Sequence, residues 1–112
     1  MLSVVALLAV TTTASAACLF PVPIAVPNGA GATQDEMVAA QGAVKQYMTD
    51  AEAYLACIDE EAAAIKPGLT EEQSAEQLRI RNMRHNAAVD EMEKLAAEFN
   101  LQVRAYKKAN PG

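Results

Sequence analysis

The chain turns back on itself at residues 66–73, which read Lys-Pro-Gly-Leu-Thr-Glu-Glu-Gln. Pro67 disfavours the α conformation in the residue before it, and Gly68 tolerates the left-handed turn that often follows a helix. Thr70 and the Gln three positions later have the spacing of a capping box, in which two side chains satisfy free N–H groups at the start of a helix. The stretch therefore predicts a turn over residues 67–69 between two helices.

The first helix is predicted over residues 33–66. It begins with a second capping box, Thr33-Gln-Asp-Glu36. Apolar residues then recur every seven positions, and a second set lies one turn away, which is typical of a coiled-coil seam. The two sets are Met37, Val44, Ala51, Ile58 and Ile65, and Met48, Leu55 and Ala62.

The second helix is predicted over residues 70–109, followed by a tail at 110–112. Its seam residues are spaced four and three apart: Leu78, Asn82, His85, Val89, Met92, Ala96, Phe99, Val103 and Tyr106. Two long helices joined by so short a turn must be antiparallel neighbours. The predicted fold is therefore all-α, an antiparallel two-helix hairpin with a coiled-coil-like seam.

Residues 1–17 have the layout of a secretory signal peptide. They contain no charged side chain, hold an apolar run at 4–10, and end in Ala-Ser-Ala-Ala, which predicts cleavage at Ala16 or Ala17. The apolar run is shorter than the roughly 20 residues that cross a bilayer as a helix, and no second run follows. We expect an exported protein, periplasmic or secreted, without a transmembrane segment.

Residues 18–32 hold three prolines and two glycines and are predicted to form an extended, proline-rich arm. Two cysteines in an exported chain are most simply a disulfide. The arm spans about 46 Å in a polyproline conformation, and Cys57 lies about 36 Å along the first helix from Thr33. The arm can therefore fold back over the helices and join Cys18 to Cys57. The alternatives are a lipidated Cys18, which would leave Cys57 without a partner, and thiols that are reduced or bonded between chains.

Charge and composition exclude several classes of function. A net charge of -5 argues against a general nucleic-acid binder, which needs a basic surface. The acids concentrate in the first helix, where residues 35–66 hold seven acidic and two basic side chains. No nucleophile with a base, no phosphate-binding loop and no zinc motif is present. We expect neither an enzyme nor a bound metal or cofactor.

Asn82 and His85 are the polar residues of the predicted seam. A functional interpretation makes His85 a pH-sensitive or metal-binding residue. Its own helix offers no second ligand at useful spacing, so the favoured interpretation is a histidine hydrogen-bonded locally while Asn82 fixes the register. A nearby basic cluster, Arg79, Arg81 and Arg84, is predicted to pair with acids of the first helix.

Two patches, Tyr47 to Cys57 and Asn86 to Lys107, together with the Cys-then-proline arm, resemble a group of small secreted proteobacterial proteins of unassigned function. This resemblance implies export and paired cysteines, and it offers no catalytic residue. Separately, Leu69-Thr-Glu-Glu-Gln73 resembles the Leu-Thr-x-x-Gln motif of Spy-like periplasmic chaperones, which are helical and cradle unfolded clients. Any capping box preceded by Leu has the same form.

The predicted function is binding, self-association or envelope structure, and the alternative is a periplasmic chaperone or stress protein of the Spy-like type. Two helices can cover each other's apolar stripe on one side only. The flanks of the seam widen the apolar surface further, and they consist of Tyr47 and Tyr54 with Ala88, Leu95 and Gln102. We expect a second hairpin to pack there as a homodimer, or another protein to bind there.

Overall fold

The computed structural model of the protein describes residues 17–112 and contains two long helices. Helix α1 is Gln34–Ile65, a short 3₁₀ turn follows at Lys66–Gly68, and helix α2 is Glu71–Ala109. The two helices pack against each other, and this confirms the predicted two-helix hairpin. The predicted signal peptide, including Ala16, lies outside the described residues, and Ala17 is exposed.

Both helices begin at the predicted capping boxes. The Thr33 hydroxyl accepts the Glu36 N–H at 3.1 Å, and the Glu36 carboxylate accepts the Thr33 N–H at 3.0 Å. Thr70 and Gln73 make the same reciprocal pair at 3.2 Å and 3.0 Å. These contacts satisfy amide groups that have no partner inside the helix, so each helix has a defined first residue.

The buried residues of α1 follow the predicted seven-residue repeat. They are Met37, Val44, Tyr47, Ala51 and Ile58. Ile65 was also predicted for the seam, but it is 41% exposed. It is the last residue of α1, where the chain enters the turn, so a large part of its side chain faces solvent. Tyr47 was predicted as a flank, and it is buried because the arm covers it.

Seven of the nine predicted seam residues of α2 are half-buried, and two are exposed. Ala88 is the buried residue of this helix, whereas Leu78 is 59% exposed and Asn82 is exposed. The predictions for Leu78 and Asn82 are therefore wrong. The physical reason is their position on the helix: Leu78 and Asn82 lie about 80° and about 120° around α2 from the buried Ala88, on the side away from Gln102, which contacts the arm.

The arm runs over the hairpin as a non-helical segment through residue 32. Cys18 is bonded to Cys57, with their Cα atoms 5.7 Å apart, and this confirms the predicted intramolecular disulfide. The arm therefore runs antiparallel to α1, from Cys57 in the C-terminal third of that helix back to its first turn. Within the described residues, no helix is long and apolar enough to span a bilayer.

Candidate functional site

The arm fills a groove between the two helices, which we call the arm groove. Tyr47 and Tyr54 form its α1 side, and Leu95 and Gln102 form its α2 side. The Phe20 ring lies edge-on to Tyr47, with centroids 5.7 Å apart at 88°, and edge-on to Tyr54 at 5.3 Å and 83°. Edge-to-face contacts of this kind are favourable beyond the area they bury. One phenylalanine therefore positions the arm against two turns of α1.

Gly29 fixes the other end of the arm on α2. Its N–H donates a hydrogen bond of 2.8 Å to Oε1 of Gln102, and the residue is buried. A side chain here would overlap the backbone carbonyl of Gln102, and its Cβ would lie 2.9 Å from the nitrogen of Tyr106. The backbones of the arm and α2 approach each other closely at this turn, and glycine has the right size for that approach.

The arm is not covered evenly along its length. Leu19 and Val22 are each 81% exposed, whereas Phe20 and Ile24 are half-buried. Leu19, Val22 and Ala25 are exposed and lie three positions apart, which is the repeat of a polyproline II segment, so one side of the arm faces solvent and the rest turns toward the groove. The exposed side leaves an apolar surface along the outer edge of α1.

Tyr47 lies where the arm, α1 and α2 meet. It lines a cavity of about 210 Å³ together with arm residues and with Glu91, Lys94 and Leu95 of α2. Burial raises the pKa of Tyr47 above its ordinary value, and the negative charge of Glu91 raises it further. The phenol therefore stays neutral over the physiological pH range and packs between the arm and α2 as an uncharged ring.

Two arginines tie α2 to α1 near the turn. Arg81 pairs with Asp59 at 2.5 Å. Arg84 pairs with Glu61 at 3.2 Å and donates from Nε to the Tyr54 hydroxyl, also at 3.2 Å. The hydrogen bond to Tyr54 raises the pKa of Arg84 above its ordinary value. The prediction that these two arginines pair with acids of the first helix is confirmed.

Arg79 was predicted to pair in the same way, and this is wrong. It pairs with Glu76 of its own helix at 2.6 Å, and both side chains are more than half exposed. Position 79 is two residues before Arg81, and on an α-helix a two-residue step leads to the far side. Arg79 therefore stabilises α2 locally and does not contribute to the hairpin contact.

A second apolar surface lies on the side of the hairpin away from the arm, and we call it the open face. Met48 and Leu55 follow the arm-facing tyrosines of α1 by one position, or about 100° around the helix. On α2 the corresponding residues are Val89, Ala96 and Val103, which follow the arm-side residues by one position. All five are half-buried. The predicted seam residues of α2 thus line the edge of an uncovered surface.

His85 is half-buried on the same side as the open face, and its Nδ1 is buried without a hydrogen-bond partner. Asn82 is exposed and its Oδ1 accepts a hydrogen bond from Arg81 at 3.1 Å. The predicted local hydrogen bond of the histidine is therefore not made at Nδ1, and Asn82 does not fix a register inside the seam. Between residues 17 and 112, no cluster of three or more His, Cys, Asp and Glu could hold a metal ion.

The two flanks that were predicted to recruit a second hairpin are both occupied by the arm. Phe20 covers Tyr47 and Tyr54, and Gly29 bonds to Gln102. On the side of the hairpin away from the arm, the apolar residues of the open face are half-buried. The sequence matches no protein-family model, no curated protein and no solved structure.

Proposed function

We propose that this chain is an exported, non-catalytic envelope protein that self-associates through the open face. The observation that carries the proposal is the pattern of cover on the hairpin. The arm fills one side of the two-helix layer, and the other side keeps half-buried apolar residues over which no segment of residues 17–112 lies. The common closed arrangement for such a surface is a four-helix bundle made from two hairpins.

Charge on the edge of the open face favours a second copy as the occupant. Lys45 and Glu52 of α1 lie seven residues apart beside Met48, and both are exposed. Among residues 17–112, neither takes part in an ion pair. If α1 packs antiparallel on α1 of a second copy about an axis near Met48, each Lys45 lies opposite Glu52 of the other chain. Two symmetric ion pairs would then set the register.

Helix α2 fits the same arrangement. In the hairpin, Arg84 lies beside Tyr54, so the level of Met48 on α1 corresponds to about residue 90 on α2. The α2 helices of the two copies would therefore cross near Asp90. This crossing brings Leu78 of one copy near Val103 of the other. It would cover Leu78, which is 59% exposed in the single hairpin.

A charge exchange tests the proposed dimer. Lys45→Glu places four acids around the two contacts and should raise the dimer dissociation constant about tenfold or more, because facing like charges oppose association. The double variant Lys45→Glu with Glu52→Lys restores opposite charges and should restore the dimer. Sedimentation equilibrium of the exported protein over a micromolar concentration range measures both.

A monomer at every concentration in the unmodified protein would overturn the self-association proposal. In that case an aggregation assay with an unfolded client tests the chaperone alternative, since an uncovered apolar face also suits unfolded segments. Suppressed aggregation by the monomer, lost in Val89→Glu, would support a chaperone. Rescue of the dimer by the double charge exchange would support the pairing of Lys45 with Glu52.

A further inference from the structure

We infer that the arm groove is a binding site for an extended, proline-containing apolar segment, and that a second copy of this chain can fill it by exchanging arms. The structure holds an example of the ligand already in place, since the arm of the same chain occupies the groove. This inference concerns the side opposite the open face, so it does not depend on the proposed dimer.

The groove holds the arm through three contacts, two near its Cys18 end and one at Gly29. Phe20 contacts two tyrosines, the N–H of Gly29 bonds to Gln102, and Cys18 meets Cys57. Each contact joins an arm residue to a helix residue. Each could therefore form equally well when the arm and the helices belong to different copies. The same contacts serve both arrangements, so their free energies differ mainly in the connecting segment and in the entropy of association.

The connecting segment between the arm and α1 can open. It consists of residues 30–33, and in the closed form the N–H of Gly31 bonds to the Asn28 carbonyl at 3.1 Å. Gly31 is exposed, and a side chain there would meet nothing within 4 Å. Straightening this turn breaks the Gly31 hydrogen bond and the 3.1 Å bond from the Ala30 N–H to Oδ1 of Asn28, and none of residues 30–33 is buried. The arm can then point away from its own hairpin toward a neighbour.

The disulfide makes the exchange covalent without a net oxidation. When two closed copies exchange, two bonds within chains are replaced by two bonds between chains. A catalytic thiolate attacks Cys57 of one copy and releases its Cys18 thiolate. That Cys18 then attacks the Cys57 sulfur of the second copy and releases the second Cys18 thiolate. The second Cys18 in turn attacks the first copy's Cys57, and the catalytic thiolate leaves unchanged.

Two complementary variants of the full chain test the exchange. Cys57→Ser retains only the arm cysteine, and Cys18→Ser retains only the groove cysteine. Neither variant can form a disulfide within one chain. Every disulfide that forms therefore joins two chains and records a contact between their cysteines. Glutathione disulfide in the buffer is the oxidant, and each new bond between chains reduces one molecule of it to two glutathione thiols. Both chains carry Lys45→Glu, which separates this result from dimers formed through the open face.

Recognition of the arm in trans predicts a roughly tenfold excess of the mixed dimer over either homodimer on non-reducing mass analysis, well above the excess of about twofold from random pairing. Adding Phe20→Ser to the arm donor should reduce the excess to the random value, because the aromatic contacts are lost. Leu19→Ser, at an exposed arm position, is the matched control and should leave the excess unchanged. Random proportions that Phe20→Ser does not alter would overturn the inference.

Discussion

Gly29 donates a hydrogen bond of 2.8 Å to Gln102, although the two residues are 73 positions apart in the chain. The bond joins the arm to α2, whereas the disulfide from Cys18 joins the arm to α1. The arm is therefore attached to both helices, at points near opposite ends of the segment. This relationship gives the arm a structural role as a third layer of the fold.

Replacing Gly29 with Ala should release the end of the arm. The new methyl group would overlap the Gln102 carbonyl, and overpacking against a backbone costs about 1–3 kcal/mol. Gly31→Ala is the matched control, since its Cβ has open space around it and should change stability by no more than about 0.5 kcal/mol. Urea unfolding followed by circular dichroism compares the two variants. Equal stabilities would contradict the close approach at position 29.

The disulfide should contribute about 3 to 4 kcal/mol to the free energy of unfolding in the chain-entropy model. It joins residues 39 positions apart, so it restricts a large part of the unfolded chain. The variant with both Cys18→Ser and Cys57→Ser should unfold at correspondingly lower urea concentration. Peptide mapping of the oxidised protein should recover the linked cysteines. A diacylglycerol adduct on Cys18 would instead establish the lipid-anchored alternative.

Ile58 and Leu78 should respond very differently to truncation. Ile58 is 1% exposed in the core, and Ile58→Ala should cost about 2–5 kcal/mol through lost burial and a residual cavity. Leu78 is 59% exposed, and in the monomeric protein Leu78→Ala should change stability by less than about 0.5 kcal/mol. Both variants are unfolded in a Lys45→Glu background, so that the dimer does not contribute to the measured stability. A large loss of stability in Leu78→Ala would support the seam predicted from the sequence, in which Leu78 is buried.

Stability should fall at alkaline pH through Tyr47. Burial, with the charge of Glu91, raises its pKa, so the folded chain holds the phenol proton more tightly than the unfolded chain does. This contribution is complete below the unfolded pKa of about 10 and is lost as the pH rises through the higher folded value. Urea unfolding of wild type and Tyr47→Phe at about pH 8 and about pH 11 isolates it. The variant should lose less stability between the two conditions than wild type.

Export predicts a defined new N-terminus. The intact mass of the protein recovered outside the cytoplasm should correspond to a chain that begins at Ala17 or Cys18, because the leader ends in small residues that suit cleavage. Recovery of the whole chain from the cytoplasm, with its leader intact, would refute export.

The sequence was sufficient for the hairpin because its decisive signals are local. Each capping box involves residues three positions apart, and Pro67 and Gly68 restrict the backbone only near the turn. The pairing of Cys18 with Cys57 was also accessible, since only two cysteines are present and the length of the arm suits the distance. These features depend on spacing alone.

The exact face of α2 was not accessible from spacing. Residues 81, 88, 95 and 102 repeat every seven positions, and so do residues 82, 89, 96 and 103. Both sets therefore fit a heptad. The choice between them depends on the third layer, because the arm packs against one set and leaves the other at the open face. The available clue to the buried face was the pair of alanines, Ala51 and Ala88, which are the two small residues buried in the seam.

The disulfide closes a covalent ring that runs from Cys18 to Cys57 and contains no residue of α2. Apart from its hydrogen bonds and packing, α2 is attached only through the exposed turn at Lys66–Gly68. A protease that cuts this turn would divide the molecule into a cross-linked N-terminal fragment and a linear C-terminal peptide. The strength with which those two pieces stay together would measure the non-covalent part of the fold directly.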